Sequence, residues 1–129
     1  MTIRVCTAVI GRVIDGDTIV MSEMRLGWGV SITDDPRRQT THVRLAGVNT
    51  PDSRTGAKWF DPVLAKAATD YVNATWPAGT AVTLTSYELD SFGRSLAKVT
   101  APGGIDIGDA LVQLGYARTT DYTPPAPED

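Results

Sequence analysis

The sequence contains one cysteine, one histidine and no long hydrophobic run. Because Cys6 has no second cysteine to pair with, the chain can form neither an internal disulfide bond nor a thiolate metal cluster. A lone strand histidine is more often packed or solvated than catalytic, so we assign no chemistry to His42. No apolar segment approaches the roughly 20 residues that a membrane-spanning helix requires, so we expect no membrane partner.

The N-terminus and the net charge argue against two further classes of protein. Residues 1–5 lack the basic segment followed by an apolar one that marks a secretory signal, so we expect a cytoplasmic protein. With a formal net charge of −3 we expect no long basic surface for non-specific duplex binding, so any contact with nucleic acid should be local. A chain of 129 residues fits one globular domain, which we assign to residues 1–120. The proline-rich, acidic residues 121–129 are expected to form a disordered tail.

Two β-prone runs open the chain, in residues 5–14 and residues 17–21. Asp15 and Gly16 lie between these runs. An Asp-Gly pair in this place is a strong hairpin signal, because both turn residues must tolerate positive φ. Residues 27–32 are compatible with a further short strand.

Residues 41–46 alternate between polar and apolar side chains, as a half-buried strand does. Val43 and Leu45 share one face, which we expect to face the core. Arg44 lies on the opposite face. This strand should therefore display the Arg44 guanidinium group from a rigid support.

A helix is predicted to follow Asp61, which is a favourable N-cap, with Pro62 in its first turn. Pro77 and Gly79 should end it. Apolar residues recur at helical spacing and predict one apolar face, formed by Val63, Leu64, Ala67, Ala68, Tyr71 and Val72.

Residues 81–85 and 94–99 are predicted to be two further strands, and Asp106 to cap a short helix over residues 107–114. The fold class is therefore mainly β with α (α+β). The order of elements fits a five-stranded Greek-key barrel of the OB-fold type, with a helix between strands 3 and 4 and a short C-terminal helix. An open antiparallel sheet with its helices on one face is the alternative.

Oxygen-bearing side chains gather in two turns of the chain. Aspartate at positions such as Asp15 and Asp17 is common for its turn chemistry alone. Asp17 could also be a hard oxygen ligand for Ca²⁺ or Mg²⁺, with Asp15 adding negative potential. Asn49 offers a side-chain carbonyl and Thr50 a backbone carbonyl, both acceptable to Ca²⁺, although the pattern before Pro51 is also typical of a turn.

An acid and two arginines complete the candidate chemistry. Asp52 is a loop residue of a kind that is usually a solvated surface charge, but it could take a proton from an attacking water. Arg44 and Arg94, taken singly, would be surface ion-pair partners of little consequence. As a pair they could bind a phosphate group bidentately and stabilise the charge that builds on phosphorus in the transition state.

Four motifs, in this order, resemble those of the staphylococcal nuclease (thermonuclease) family, and the resemblance runs from about residue 9 to residue 117. Each motif is weak alone, whereas four in sequence order make a chance resemblance improbable. The motifs are IDGDT at residues 14–18, VRL at 43–45 with GVNTPD at 47–52, DSFGR at 90–94, and ALVQLGYA at 110–117.

The resemblance implies an OB-fold barrel that hydrolyses phosphodiester bonds of DNA or RNA as an endonuclease, with Ca²⁺ as cofactor and Mg²⁺ or Mn²⁺ as substitutes. We expect a monomer that prefers single-stranded nucleic acid as its partner. The implied site residues are Asp17, Asn49 and Thr50 as metal ligands, Arg44, Arg94 and Asp52 as catalytic groups, Phe92 and Tyr122 as substrate contacts, and Asp15 and Asp90 as supporting acids.

The sequence departs from the family pattern at three of these positions. Asn49 replaces an aspartate, which lowers the negative charge around the metal and should weaken its binding. Asp52 replaces a glutamate and is one methylene shorter, which should slow the reaction, because a base must lie within about 2.6–3.2 Å of its proton donor or act through one water. Phe92 replaces a frequent tyrosine, so it can stack on a base but cannot donate a hydrogen bond.

Three functions follow from these residues. The first is a metal-dependent nuclease. The second is a catalytically weak or inactive module that binds nucleic acid or protein on the same barrel, which the residues at positions 49 and 52 motivate. The third is a purely structural barrel, which would leave the pair of Arg44 and Arg94 unexplained.

Overall fold

The computed structural model describes residues 4–37, 39–89 and 93–120. Within these ranges the chain forms nine strands and two helices. The strands are β1 (Arg4–Asp15), β2 (Thr18–Gly27), β3 (Val30–Thr33), β4 (His42–Leu45), β5 (Val48–Asn49), β6 (Ala81–Leu89), β7 (Ser95–Ala101), β8 (Ile105–Asp106) and β9 (Arg118–Thr119), and the helices are α1 (Pro62–Thr75) and α2 (Ile107–Gln113).

Five strands close into a barrel. β1 pairs with β6, β6 with β7, β7 with β4, β4 with β2, and β2 returns to β1. All of these pairings are antiparallel except that of β4 with β7, which is parallel. The predicted five-stranded OB-fold barrel of the α+β class is confirmed, and the alternative of an open sheet is wrong. Closure leaves these five strands without a free edge along the ring.

The barrel interior is filled by apolar side chains from the alternating positions of its strands. In β4, Val43 and Leu45 are buried while His42 and Arg44 are half-buried on the other face, as the alternation predicts. Arg44 is therefore held on a paired strand between β2 and β7. The largest fully buried side chains include Ile10, Ile19, Met21, Leu45, Leu84, Ile107 and Leu111.

Helix α1 begins where the sequence predicts. The Asp61 carboxylate accepts a hydrogen bond from the Leu64 backbone N–H at 3.0 Å and caps the helix. Ala68 and Val72 are fully buried, and the helix packs against β1. The assignment of Val63 to the apolar face is wrong, because Val63 is 80% exposed. It lies nine residues before Val72, which places it about half a turn away around the helix axis.

Helix α2 also begins at its predicted cap, since the Asp106 carboxylate accepts from the Asp109 backbone N–H at 3.0 Å. Ile107 and Leu111 are buried within the core that α2 shares with the barrel. Gly115 follows the helix with a φ of 82°, which is the left-handed conformation that favours glycine after a helix.

The sequence predicts only one of the four short strands, since β3 overlaps the segment 27–32 whereas β5, β8 and β9 were not expected. β3 extends the sheet beyond β2, β8 pairs with β7, and β5 forms a separate ladder with β9. That ladder aligns Val48 with Thr119 and Asn49 with Arg118. Among the described residues, no helix is long and apolar enough to cross a membrane. The predicted tail, residues 121–129, lies outside the described residues.

Candidate functional site

A pocket of about 600 Å³ lies between the first hairpin turn, the segment after β5 and the first turns of α1. Three sequence-predicted site residues, Asp90, Phe92 and Tyr122, lie outside the described residues. The other seven all line this pocket, and they are Asp15, Asp17, Arg44, Asn49, Thr50, Asp52 and Arg94. The fold therefore brings together residues that are as far apart in the chain as positions 15 and 94.

Gly16 allows the first turn to approach its neighbours closely. A Cβ atom at this position would lie 2.8 Å from Thr50 Cγ2 and 2.9 Å from Ala68 Cβ. The predicted hairpin is confirmed, because β1 and β2 pair antiparallel up to Asp15 and Thr18. The positive φ expected of Asp15 and Gly16 is not found, since neither is among the described residues with positive φ. Glycine is needed because the turn packs against α1 and against the segment after β5. This packing places Asp17 beside Thr50.

Asp17 is a buried carboxylate surrounded by donors. Its Oδ2 accepts from the Thr50 backbone N–H at 2.9 Å and lies 3.5 Å from Arg44 Nη2, while its Oδ1 accepts from the Thr18 hydroxyl at 3.4 Å. Burial by itself raises the pKa of Asp17. The hydrogen bond with Asp15, the charge of Arg44 and the bonds from Thr50 outweigh burial, so the pKa of Asp17 is lowered overall.

Asp15 shows the opposite shift. Asp15 as a whole is exposed, but its carboxyl group lies against Asp17 and loses part of its hydration. This desolvation, followed by the hydrogen bond and the negative charge of Asp17, raises the pKa of Asp15 to about 7. Two carboxyl groups held this close repel each other when both are ionised, and a bound cation would relieve that repulsion.

Arg44 spans from β4 to β5 through its guanidinium group. Its Nη1 donates to the carbonyl oxygens of Leu45 at 2.8 Å and Val48 at 2.7 Å. Its Nη2 donates to Asn49 Oδ1 and faces Asp17 Oδ2. Both Nη groups are thus engaged with the protein, so bidentate phosphate binding requires Arg44 to exchange Asn49 or Asp17 for the ligand.

Asp52 lies at the base of the loop that leads into α1. Its backbone N–H donates to the Trp59 carbonyl at 2.8 Å, and its carbonyl accepts from the Asp61 N–H at 2.9 Å. Its carboxylate is bound by Arg54, with the Nη2 to Oδ2 distance at 2.8 Å. The Arg54 side chain is the main cause that lowers the pKa of Asp52 to about 2. The carboxylate is therefore ionised near neutral pH, as a base must be.

The pocket is also lined by three cationic side chains that the sequence analysis did not assign to the site. They are Arg54, Lys58 and Lys66. With Arg44 and Arg94, the lining contains five cations and four acids, although the whole chain has a net charge of −3. The sequence signal for them was their position, within fifteen residues after the GVNTPD motif and on the segment that begins α1. Arg94 is half-buried just before β7.

The loop between Asp52 and α1 is also attached to the short β5–β9 ladder. The guanidinium carbon of Arg118 lies 3.7 Å from the centroid of a Trp59 ring, which is a cation–π contact. Arg118 pairs with Asn49 in that ladder. Both ends of the segment from Asn49 to Trp59 are therefore held by β9.

The donor atoms at the first turn are of the type that hard cations prefer. Asp15 and Asp17 provide carboxylate oxygens, and Asn49 and Thr50 provide amide and carbonyl oxygens on the same pocket wall. In the part of the chain that the structure describes, no three His, Cys, Asp or Glu side chains group as metal ligands. These oxygen ligands suit Ca²⁺ or Mg²⁺ rather than a metal that prefers cysteine or histidine ligands.

Comparison with known proteins agrees with this architecture. A family model described as staphylococcal nuclease homologue matches residues 42–129, more than half of the chain. Endonuclease YhcR of Bacillus subtilis (strain 168) is 30% identical over 117 residues, which are 86% of this chain and 9% of that protein. An uncharacterized endonuclease of Escherichia coli O157:H7 and one of Escherichia coli are each 27% identical over 107 residues, 82% of this chain and 56% of theirs.

The chain thus spans about half the length of the E. coli relatives and about a tenth of the B. subtilis protein. The segment matched by the family model contains Arg44, Asn49, Asp52 and Arg94 but not the turn at Asp17. The barrel, the order of its motifs and the extent of the match lead to one conclusion: the chain belongs to the staphylococcal nuclease homologue family.

Proposed function

We propose that this chain is a metal-dependent endonuclease that hydrolyses phosphodiester bonds of DNA or RNA by attack of a water molecule. The observation that carries this proposal is the meeting of Arg44, Arg94, Asp17 and Asp52 in one pocket. Two guanidinium groups, a buried carboxylate and an ionised loop carboxylate are what phosphate binding, cation binding and proton removal require. The names of the three endonuclease relatives support the same class of reaction.

The arginines would bind the phosphate group and stabilise its transition state. Guanidinium groups match the geometry of phosphate oxygens and stay charged at every working pH. Arg94 lines the pocket from the segment before β7, and Arg44 lines it from β4. Removing one donor to a developing oxyanion typically lowers the rate by about 10²–10³-fold.

Asp52 would take the proton from the attacking water. Its backbone is fixed by two hydrogen bonds to the segment that begins α1, which limits how far its short side chain can move. The lowered pKa keeps the Asp52 carboxylate ionised but makes it a weaker base. Loss of the contact with Arg54 would raise this pKa and make Asp52 a stronger base.

Asp17, Asn49 and Thr50 would hold Ca²⁺, with Mg²⁺ or Mn²⁺ as substitutes and Asp15 as a supporting acid. Such a cation supplies charge neutralisation at the phosphate and lowers the pKa of a bound water. Asp17 would then exchange its ion pair with Arg44 for the cation, which leaves Nη2 of Arg44 available to the phosphate. Asn49 would contribute a neutral oxygen, so we propose weaker cation binding than a third carboxylate would give.

We further propose a single strand as the substrate and a monomer as the active form. A concave pocket of about 600 Å³ can enclose a nucleotide of a flexible strand, and the net charge of −3 disfavours non-specific binding of a duplex along the surface. All of the pocket residues come from one chain.

The test is cleavage of labelled single-stranded DNA and RNA in Ca²⁺, Mg²⁺, Mn²⁺ or EDTA. We expect cleavage with Ca²⁺, none in EDTA, and a loss of about 10²-fold or more in Arg44→Ala and in Arg94→Ala. Arg37→Ala is the matched control, because Arg37 is exposed and does not line the pocket. Protein free of contaminating nuclease that cleaves neither strand with any of the three metals would refute the proposal.

A binding module is the second candidate, and the contact between Arg54 and Asp52 is the observation that favours it. A carboxylate held by an arginine does not receive a proton readily. This candidate predicts oligonucleotide binding without cleavage, with an affinity that falls as salt rises. If the protein does cleave, equal rates for Asp52→Ala and the unmodified chain would remove Asp52 from the reaction.

A further inference from the structure

Arg54 lines the pocket and contacts the carboxylate of Asp52 through its backbone N–H, Nε and Nη2. Its backbone N–H donates to Oδ1 at 2.8 Å, its Nε lies 3.1 Å from Oδ1 and 3.2 Å from Oδ2, and its Nη2 donates to Oδ2 at 2.8 Å. A carboxylate has about four lone-pair sites. In the free protein most of the accepting capacity of Asp52 is therefore taken by one arginine.

The ion pair of Arg54 and Asp52 is accessible to solvent and therefore to a competing ligand. The Arg54 side chain is 83% exposed and that of Asp52 is 30% exposed. Exposed ion pairs contribute little to stability, because water competes for both charges. A guanidinium group binds phosphate oxygens with the same two-pronged geometry as carboxylate oxygens, so a phosphate in the pocket is a direct competitor of Asp52.

The position of Arg54 indicates which phosphate would compete. Arg54 and Lys58 line the pocket from the loop before α1, whereas Arg44 and Arg94 reach it from β4 and from the segment before β7. A strand whose scissile phosphate lies at Arg44 and Arg94 would bring an adjoining phosphate towards this loop. Neither Arg54 nor Lys58 is needed for the first phosphate.

We propose that Arg54 is a positioning residue that is exchanged by the substrate. In the free protein it holds Asp52, and when a strand binds it passes to the phosphate adjoining the scissile one, which releases the Asp52 carboxylate towards the attacking water. The ligand class is a single-stranded oligonucleotide with at least two consecutive phosphates. The inference rests on the proposed function for its catalytic consequence, but the exchange itself is a binding event.

The chain contains a matched control for this pair. Asp35 and Arg37 have the same spacing, with the Arg37 backbone N–H 2.9 Å and its Nε 3.2 Å from Oδ1, and its Nη2 3.0 Å from Oδ2. The Arg37 side chain is 85% exposed. Neither residue lines the pocket. Changes to this second pair alter the total charge equally without touching the site.

The first experiment is a double-mutant cycle on binding in EDTA, with a fluorescent thymidine pentanucleotide as the probe. Asp52→Asn frees Arg54 from its competitor, so we expect affinity to rise about two- to fivefold, the range set by exposed ion pairs. In the Arg54→Ala background the same substitution should raise affinity clearly less. An equal gain in both backgrounds would show only long-range charge and would overturn the exchange. Asp35→Asn, with and without Arg37→Ala, should show no such coupling.

The second experiment separates kcat from KM on two substrates, the pentanucleotide and the dinucleotide TpT, which has a single phosphodiester. Because TpT has no second phosphate to attract Arg54, the unmodified protein should cleave it with a much lower kcat. Arg54→Ala should raise kcat on TpT and raise KM on the pentanucleotide. Arg54→Lys, which keeps the charge but loses the fork, should also raise kcat on TpT with a smaller change in KM.

The outcomes distinguish this inference from the proposed function. A kcat that falls equally on both substrates in Arg54→Ala would overturn the exchange, because Arg54 would then merely hold the loop in shape. Coupling in the binding cycle without cleavage of either substrate would refute the nuclease proposal and leave the exchange supported as a binding device. Cleavage without coupling would refute the exchange alone.

Discussion

A methyl group added at Gly16 has no room in this fold. Its position would be 2.8 Å from Thr50 Cγ2, 2.9 Å from Ala68 Cβ and 3.3 Å from Thr50 Cβ. Ala68 Cβ cannot move without the backbone of α1, and a rotation that turned Thr50 Cγ2 away would still leave Thr50 Cβ at 3.3 Å. Gly16→Ala should therefore shift the first turn away from α1 and carry Asp17 away from the Thr50 N–H.

The expected size of the effect follows from overpacking. Inserting a methyl group into a well-packed site typically costs about 1–3 kcal/mol. With a urea m-value of about 2 kcal/mol per M, the unfolding midpoint should fall by about 0.5–1.5 M without a change in m. Cleavage activity should fall as well, because the turn that positions Asp17 is displaced.

The measurement is urea unfolding followed by circular dichroism, on Gly16→Ala and on Gly16→Ala combined with Thr50→Ser. The second substitution removes Cγ2, the closer of the two contacts, and keeps the hydroxyl. We expect it to restore part of the lost stability, with Ala68 Cβ still in the way. Thr50→Ser alone is the control. A Gly16→Ala midpoint equal to that of the unmodified protein would refute the reasoning from close approach.

Two further predictions concern the loop before α1 and its carboxylates. Asp61→Ala should lower the free energy of unfolding by about 0.5–2 kcal/mol, because the Leu64 N–H loses its cap. Asp61→Ser should retain most of the stability, because serine can also cap the helix. Equal urea midpoints for the unmodified protein and both variants would contradict this. The pKa of Asp52 is lowered from 3.8 to about 2, so its pair with Arg54 favours the folded state above pH 3.8 and this contribution is lost as pH falls towards 2. In metal-free Arg54→Ala, carboxyl NMR titration should return the pKa towards 3.8, and a value that stays near 2 would show that Arg54 is not its cause.

Much of the barrel could be predicted because its signals are local. The side chains of a strand alternate between its two faces, so the pattern of β4 was enough to place Val43 and Leu45 in the core. Asp61 and Asp106 were recognisable as helix caps, because a cap bonds to a backbone N–H only three residues further along the chain. The ladder of β5 with β9 could not be predicted, because two-residue strands carry no periodicity and their pairing spans about seventy residues of chain.

The candidate site was predicted in its membership but not in its contacts. Seven of the ten predicted residues line one pocket, and the other three lie outside the described residues. Their catalytic and metal-binding roles stay predictions. The partners of Arg44 and the hold of Arg54 on Asp52 were not foreseen, because the direction of a long side chain depends on which acceptors the fold leaves nearby.

The sequence by itself determined the family, the class of fold and which acids and arginines are available, since these depend on residue type, period and spacing. Only the tertiary structure decided why residue 16 must be glycine and what each charged group contacts. The close approach at Gly16 and the contacts of Asp17 with Thr50 and Arg44 depend on distances in space between residues far apart in the chain. The pair of Asp52 and Arg54 is itself a local contact, two residues apart, and the fold adds its place in the pocket beside Arg44 and Arg94.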